Sequence, residues 1–573
     1  MRNRKNVRKR LKRIEWRNFG TRMGLNDLNA NRLLDASNSN AALGGRTMFR
    51  RASALPYALF ALTLAVHSAA AEDRKPDGRA MTRRIDEAID ARLQSESVTA
   101  SPRCDDAEFL RRVYLDLIGH IPTADKTVAF LDSREPNKRA KLIDELLAST
   151  DFGKHQADIW QSLLLPRTTD NRFVPFAKMT TWLETRFNEN VPWDRMVREI
   201  LTAEGEIDKN GAVIYYLANA APDKLTDNAT RMFLGVQLQC AQCHNHPFTD
   251  WKQDAYWGMA AFFAKVSIQG NPRQAILNNK AGKVAIGENG KGRPIRLPLS
   301  AKRVPPKFLQ GDSPKIADGS AARPALAEWM TSPKNPYFSR AMVNRLWAQL
   351  FGRGIVNPID DMHDGNKPSH PQLLSDLSAQ FVADGFDVKN LFRSICNSAT
   401  YQRTSKPLAE NKEAGPEMYS RMAIKVLTPE QLFDSLVQVV GAPNPDRLQR
   451  RAAHAVQAAV LRNLTPRTLF VAFFKGDDNA DPTEYQLGIP QVLRMMNAPM
   501  LNNAAALTPI LQSGGTAEQI VDRLYLTVLS RRPTGHERDR CLALVRKHDD
   551  EPRQAYGDIL WVLLNSSEFT MNH

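Results

Sequence analysis

The segment at residues 240–244, Cys-Ala-Gln-Cys-His, constrains the possible structure and chemistry of this chain more than any other feature. Two cysteines three residues apart, followed directly by a histidine, form the pattern by which haem is attached covalently to proteins. Each thiol can form a thioether to a haem vinyl group, and the adjacent imidazole then reaches the iron. The pattern predicts a c-type haem site with Cys240 and Cys243 as the covalent anchors and His244 as the iron ligand.

Other chemistries remain open for the same cysteines. Cys240, Cys243 and His246 could hold a structural zinc ion, although a tetrahedral site requires a fourth ligand. The two thiols could instead form a local disulfide in an oxidising compartment or remain a free dithiol. A redox-active pair is not favoured by the surroundings, because no βαβ pattern flanks the motif.

A low-spin haem needs a second axial ligand, and two methionines are candidates. Met259 lies on the helix expected after the motif, and Met232 lies on the helix expected before it, over Ala229–Leu238. Methionine is also a common core residue, so each position has an ordinary structural explanation. Six aromatic residues could wall a haem pocket or form an ordinary helical core: Phe248, Trp251, Tyr256, Trp257, Phe262 and Phe263.

The N-terminal region predicts export. From Met48 the sequence shows two arginines, an apolar run over Ala52–Val66 and small residues before Glu72, the layout of a secretory signal peptide over residues 48–71. The apolar run is too short to span a bilayer comfortably, so we expect no stable membrane insertion after cleavage. We expect residues 1–47 to be an over-extended, disordered start and the mature chain to reach the periplasm or the cell surface.

The positive charge of the chain is concentrated near its start. The net charge is +16, and residues 1–51 contain 14 Lys or Arg against 3 acidic residues, a net of +11. The rest of the chain therefore carries only about +5. Nucleic-acid binding requires basic residues clustered on a folded face, so we do not expect a nucleic-acid partner. A redox or protein partner is expected, and its identity is unknown.

Apolar residues recur at helical spacing through most of the chain after residue 80. The chain has 573 residues, more than one hydrophobic core usually accommodates. The sequence predicts a mainly α fold with two helical domains, over residues 80–266 and 321–570. Between them, residues 267–320 are rich in Gly, Pro, Lys and Asn. This composition indicates a linker with a candidate small β-hairpin.

A second group of polar residues lies in the later domain. Carboxylates with His and Arg could make a metal or acid–base site, which would suit a hydrolase. A buried Arg–Asp network that holds a loop against a helix is the structural alternative, and it is favoured. The group consists of Arg340, Asn344 and Arg345 on a helix, followed by Asp360, Asp361, His363 and Asp364 on a loop.

Two sets of motifs carry a family resemblance. The stretch from Arg112 to Thr123, and the stretch from Phe233 into the cysteine motif, resemble the planctomycete cytochrome c-like domain of unknown function. The later half resembles the uncharacterised domain that usually follows it. The residues that carry this second resemblance are 335–340, 344–347, 351–354, 360–361, 398–401 and 565–569.

The resemblance implies an exported protein with a cytochrome-like motif, and it carries no established activity. The leading hypothesis is therefore an exported haem c protein that transfers electrons or supports a periplasmic redox reaction. The alternative is a non-enzymatic binding or scaffolding module, with structural zinc or a local disulfide at the same cysteines.

Overall fold

A computed structural model gives the fold. It describes residues 78–166, 174–247, 249–271, 284–288, 294–298, 302–311, 313–317, 319–441, 465–474, 489–497, 507–512, 514–548 and 550–573. These residues are mainly helical, as the sequence predicts. The predicted signal peptide at residues 48–71, the predicted start at residues 1–47 and Phe248 lie outside the described residues.

The first half of the described chain is built from helices that precede and follow the cysteine motif. Helices α1 to α10 are Gly78–Ser95, Asp106–Ile118, Ala124–Asp132, Lys138–Ala148, Thr150–Leu164, Phe176–Asn188, Trp193–Leu201, Ile214–Ala218, Pro222–Leu234 and Gln253–Ala260. Short 3-10 helices lie at Gly211–Val213, Gln239–Gln242 and Ala261–Phe263.

The second half continues the helical pattern. Helices α11 to α22 are Arg323–Met330, Phe338–Phe351, Pro371–Ala383, Val388–Cys396, Pro429–Val440, Pro466–Phe474, Ile489–Asn497, Leu507–Gln512, Ala517–Leu529, Gly535–Lys547, Pro552–Leu564 and Ser567–Thr570. A further 3-10 helix lies at Pro416–Met418.

Local sequence signals explain where these helices begin and end. Asp105 caps α2, because its side chain accepts a hydrogen bond from the Glu108 amide at 2.9 Å. Gly119 ends the same helix in a left-handed conformation with φ of 77°, which glycine adopts without steric cost. Thr428 and Gln431 form a reciprocal capping box at the start of α15.

Two small antiparallel sheets complete the described fold. Strands β1 (Gly205–Glu206), β2 (Val266–Gln269) and β3 (Ala285–Glu288) form the first, in the order β1-β3-β2. The linker therefore does contain β-structure, and its strand β3 pairs with β2 in the register Ile268↔Ile286. Strands β4 (Lys425–Val426) and β5 (Met571–Asn572) form the second sheet, which ties the chain's end to residue 425.

The hydrophobic cores do not follow the boundary between the two predicted helical regions. One buried cluster extends from Met81 to Met422 and takes side chains from both regions. A second cluster joins Leu115 and Ile121 to residues between Leu427 and Phe569. Residues 74–573 accordingly form one compact unit. Among the described residues, no helix combines the length and apolar character needed to cross a membrane.

Candidate functional site

The cysteine motif lies on a short turn after helix α9. The helix ends at Gly235, whose φ of 66° is left-handed, so it is shorter at its C-terminus than the helix predicted to continue to Leu238. The chain then forms the 3-10 helix Gln239–Gln242, anchored by the fully buried Ala241. Cys240 and Cys243, on either side of this anchor, are both exposed.

Side chains of helix α10 hold the backbone of the motif. Gln253 donates hydrogen bonds from Nε2 to the carbonyl oxygens of Gln242 at 3.2 Å and Cys243 at 2.7 Å. The indole Nε1 of Trp257 donates to the same Gln242 oxygen at 3.0 Å. The backbone of the turn is therefore fixed by neighbouring residues, while the two cysteine side chains stay accessible to solvent.

The two histidines beside the cysteines have different surroundings. His244 is exposed, and its Nδ1 lies 2.7 Å from the carbonyl oxygen of Asn245. A carbonyl oxygen only accepts hydrogen bonds, so a hydrogen bond at this position requires Nδ1 to be the donor and leaves Nε2 outside it. His246 is half-buried, and its backbone amide donates to the carbonyl oxygen of Trp251 at 2.8 Å.

The zinc and disulfide alternatives gain no geometric support. The hydrogen bond between His246 and Trp251 joins backbone atoms only. It therefore gives no support for the imidazole of His246 as a zinc ligand. Within the described residues, no three His, Cys, Asp or Glu side chains are grouped closely enough to hold a metal ion. Cys240 and Cys243 are free thiols, so the described structure does not pair them in a disulfide.

A cavity of about 650 Å³ lies beside the motif. It is lined by Leu238 and Gln239, which directly precede Cys240, and by residues of helix α9. Both methionines are buried in the first hydrophobic cluster, but Met232 also lines this cavity, whereas Met259 is absent from the lining. Of the two methionines expected as candidate distal ligands, Met232 is the one that faces the space beside the motif.

Polar residues line the same cavity. The Oδ1 atoms of Asp227 and Asn228 are buried and have no protein hydrogen-bond partner. Burial raises the pKa of the Asp227 carboxyl to about 6, and the nearby Asp223 carboxylate adds to the increase. Lys224 and Arg231 supply positive charge to the lining. The cavity lining is therefore mixed in polarity and includes two residues with a buried acceptor atom that has no protein partner.

The aromatic residues after the motif contribute mainly to the core. Tyr256, Phe262 and Phe263 are almost fully buried in the first hydrophobic cluster, and Trp251 and Trp257 pack against it from partly buried positions. None of these five lines the cavity beside the motif. The ordinary core explanation therefore describes their positions, and the cavity wall comes from α9 and from residues 217–221 instead.

Two family matches cover most of the chain. Residues 84–268 match PSCyt2, described as a protein of unknown function (DUF1549), and residues 322–545 match PSD1, described as a protein of unknown function (DUF1553). The chain carries a PSCyt2 domain followed by a PSD1 domain. No curated protein and no solved structure matches this sequence.

The later polar group of this PSCyt2–PSD1 protein has a buried part that ties a loop to two helices. Asp360 is 4% exposed and accepts hydrogen bonds from Arg345 and from Arg231 Nε, the latter at 3.0 Å. Asn344 on α12 exchanges hydrogen bonds with the backbone of Val356 at 2.8 and 2.9 Å. The expected Arg–Asp network is thus confirmed. Arg231 was missed, because no sequence pattern links it to a loop more than a hundred residues later.

The remaining members of this group lie near the surface. Arg340 and Asp364 are exposed, and the Asp361 carboxylate lies 3.5 Å from His363 Nε2 in a partly exposed pair. Neither Asp361 nor His363 lines the cavity beside the cysteine motif. The acid–base alternative therefore receives no support from that cavity.

Proposed function

We propose that this PSCyt2–PSD1 protein is exported and carries one covalent haem c, through which it transfers electrons. Cys240 and Cys243 would form the thioethers, and His244 would be the axial ligand. The observation that supports this proposal is the combination of an immobilised backbone, exposed thiol and imidazole side chains, and a cavity of about 650 Å³ lined by the two residues that precede Cys240. Cys240, Cys243 and His244 do not themselves line this cavity. Ligand-binding cavities commonly fall in the range of about 300–1,000 Å³.

The backbone of the motif suits the two thioethers. In a 3-10 helix, side chains at positions i and i+3 lie on the same side. Cys240 lies within such a helix, and Cys243 is the residue that ends it. The two thiols consequently face the same side of the turn, as two bonds to one flat ring require.

The hydrogen bond of the His244 ring suits a role as an iron ligand. Histidine ligands commonly donate their second ring N–H to a backbone carbonyl, which fixes the tautomer and the orientation of the ring. The hydrogen bond from His244 Nδ1 to Asn245 O supplies this arrangement and leaves the Nε2 lone pair for iron. When bound, haem supplies one-electron transfer.

The cavity offers further groups for the cofactor. Met232 is the candidate for the second axial position, because it lines the cavity and Met259 does not, although both methionines belong to the first hydrophobic cluster. Lys224 is exposed in the same lining and could pair with a haem propionate. These residues would bind and orient the cofactor, and the core formed around Tyr256 and Phe262 would support them from behind.

Expression of the chain from Met48, where the expected signal peptide begins, in a bacterial host with haem-attachment machinery tests the proposal. We expect a Soret band and a mass increase of one haem. The variant with both Cys240→Ser and Cys243→Ser should lose both signals, whereas Cys541→Ser, a matched change at a cysteine outside the motif, should keep them. Colourless protein with stoichiometric zinc, or with the two cysteines joined in a disulfide, would overturn the haem assignment.

The same culture tests export. Cleavage after Ala71 would leave Glu72 as the first residue, which N-terminal sequencing of the periplasmic fraction would detect. Recovery of the uncleaved chain in the cytoplasm alone would contradict export. Covalent haem attachment takes place outside the cytoplasm in bacteria, so this result would also remove the compartment that the haem proposal needs.

A further inference from the structure

A second cavity, of about 510 Å³, lies between the PSCyt2 and PSD1 segments. Its lining includes Trp160 and Leu163 of helix α5, Leu346 of helix α12 and Asn572 near the end of the chain. Ile424 also lines it and is 58% exposed, so the cavity reaches the protein surface. None of the residues used in the haem proposal lines this cavity.

Three polar atoms of the lining have no protein partner. They are Arg345 Nε and Gln349 Nε2, which are hydrogen-bond donors, and Asn572 Oδ1, which is an acceptor. Arg345 and Asn572 are 6% and 2% exposed. A buried polar atom without a partner costs about 1–3 kcal/mol, so these atoms favour a molecule that satisfies them.

The residues that carry these atoms are linked through one helix face and a hydrogen-bond network. Arg345 and Gln349 are four residues apart on α12 and therefore share one face of the helix. Asn572 Nδ2 and Lys425 Nζ both donate to Asp116 Oδ1 at 2.7 Å, and Lys425 Nζ also donates to Gln349 O at 2.9 Å. Because the Asp116 carboxylate accepts from the amide of Asn572, the unpartnered atom of that side chain is its oxygen.

Five charged residues line the cavity; the fifth, Glu430, is half-buried and is not free, and the other four are paired with opposite charges. Lys425 pairs with Asp116, Arg345 with Asp360, and Asp158 with Arg467. His155 also lines the cavity, and burial lowers its pKa to about 3, so its ring is neutral at pH 7. A charged ligand would lose its hydration without gaining an unpaired counter-charge from these groups.

We propose that this cavity binds a small uncharged amide with an apolar chain. The amide carbonyl would accept hydrogen bonds from Arg345 and Gln349, and its N–H would donate to Asn572 Oδ1. The apolar chain would contact Leu163, Leu346 and other apolar lining residues. The site is separate from the cysteine motif, and its occupancy does not depend on haem.

Calorimetric titration of the full chain at pH 7 with hexanamide, hexanoate and hexylamine tests this proposal. The three probes have similar shapes and differ in charge, and we expect hexanamide to bind at least tenfold more tightly than either charged probe. Equal affinities, or no binding by hexanamide at millimolar concentration, would overturn the proposal.

Two variants locate the binding. Gln349→Met removes one donor and should weaken hexanamide binding roughly fivefold, the loss of about one hydrogen bond. Gln372→Met, the same change at an exposed residue of α13, should leave binding unchanged. Ala348→Leu adds bulk to the lining and should also weaken binding. Hexanamide binding that is unaffected by both Gln349→Met and Ala348→Leu would place the ligand elsewhere and contradict the assignment.

Discussion

Helix α2 and the cysteine motif both carry polar residues that belong to the PSCyt2 resemblance, and the fold treats them in opposite ways. On α2, the side chains of Arg111, Arg112 and Asp116 are at most 3% exposed. In the motif, Cys240 and Cys243 are exposed. The difference indicates that the polar residues of the resemblance serve two purposes: the first set joins distant parts of the chain, and the second remains available for chemistry.

The arginines of α2 bind backbone carbonyls of the second half. Arg111 donates to Phe569 O at 2.8 Å, and Arg112 donates to Tyr401 O at 2.8 Å and Arg403 O at 2.9 Å. Two motif stretches of the later resemblance, at 398–401 and 565–569, thus supply partners for two arginines of the PSCyt2 match: Arg112, which begins the earlier resembling stretch, and its neighbour Arg111. The described residues of both segments also share hydrophobic clusters, so polar and apolar contacts join the same two parts of the chain.

The largest predicted effect is a loss of folding stability when Asp116, a buried residue of α2, is replaced. It accepts hydrogen bonds from Tyr401 Oη at 2.8 Å and from Lys425 Nζ at 2.7 Å. Removing one partner of a buried ion pair costs about 3–5 kcal/mol, because it leaves the other charge uncompensated. Asp116→Ala should lower the free energy of unfolding, measured by urea titration, by that amount or prevent folding.

The control for this prediction is an exposed aspartate. The Asp125 side chain is 81% exposed and pairs with Arg523, so Asp125→Ala should cost about 1 kcal/mol or less. If Asp116→Ala does not fold, Asp116→Asn keeps the shape of the side chain and should yield folded protein of reduced stability. Equal losses for Asp116→Ala and Asp125→Ala would show that the buried pairing is not what stabilises the fold.

A smaller difference concerns the acid sensitivity of the buried region. His155 packs against Gly119 at the end of α2, and burial lowers its pKa to about 3 from an ordinary value near 6.5. The unfolded chain therefore binds a proton that the folded chain does not, between these two pH values. The neutral ring of His155 makes its full contribution to the free energy of unfolding above pH 6.5. This contribution is lost as the pH falls toward 3.

The variant His155→Gln removes this titration. Between pH 8 and pH 5 the wild-type protein should lose about 2 kcal/mol of unfolding free energy through this one residue, and the variant should lose that much less. Urea titrations at the two pH values measure the difference. The comparison within each protein cancels any packing change that the substitution causes at pH 8. An unchanged pH dependence in the variant would assign the acid sensitivity to other groups.

Much of the local structure could be predicted from local sequence. The periodic apolar residues before Gly119 and Gly352 predict helices that end at those glycines, and the structure confirms both ends. The early end of α9 at Gly235 was missed, because the apolar residues after this glycine continue the helical pattern. The left-handed backbone that glycine permits at this position, rather than the periodicity, decides where the helix stops.

The sequence predicted the cysteine motif of the candidate site, but it did not predict the cavity beside the motif. The spacing of Cys240, Cys243 and His244 is visible in the sequence, whereas the choice between Met232 and Met259 depends on which helix face lines the cavity. The partners of the α2 arginines lie hundreds of residues away along the chain. Such pairings follow from tertiary packing, for which periodicity and capping residues give no signal.

The smallest expected effect concerns the motif cysteines themselves, compared with the same substitution at a buried cysteine elsewhere in the first hydrophobic cluster. Cys240→Ser together with Cys243→Ser changes exposed side chains, so the haem-free protein should change its unfolding free energy by about 0.5 kcal/mol or less. Cys396→Ser places a hydroxyl at a fully buried position in the first hydrophobic cluster and should cost about 1–3 kcal/mol. Urea titration of both variants, made without haem-attachment machinery, measures the contrast. A loss at the exposed pair as large as the loss at Cys396 would mean that the motif thiols help to hold the fold, and their availability for a cofactor would then have to be abandoned.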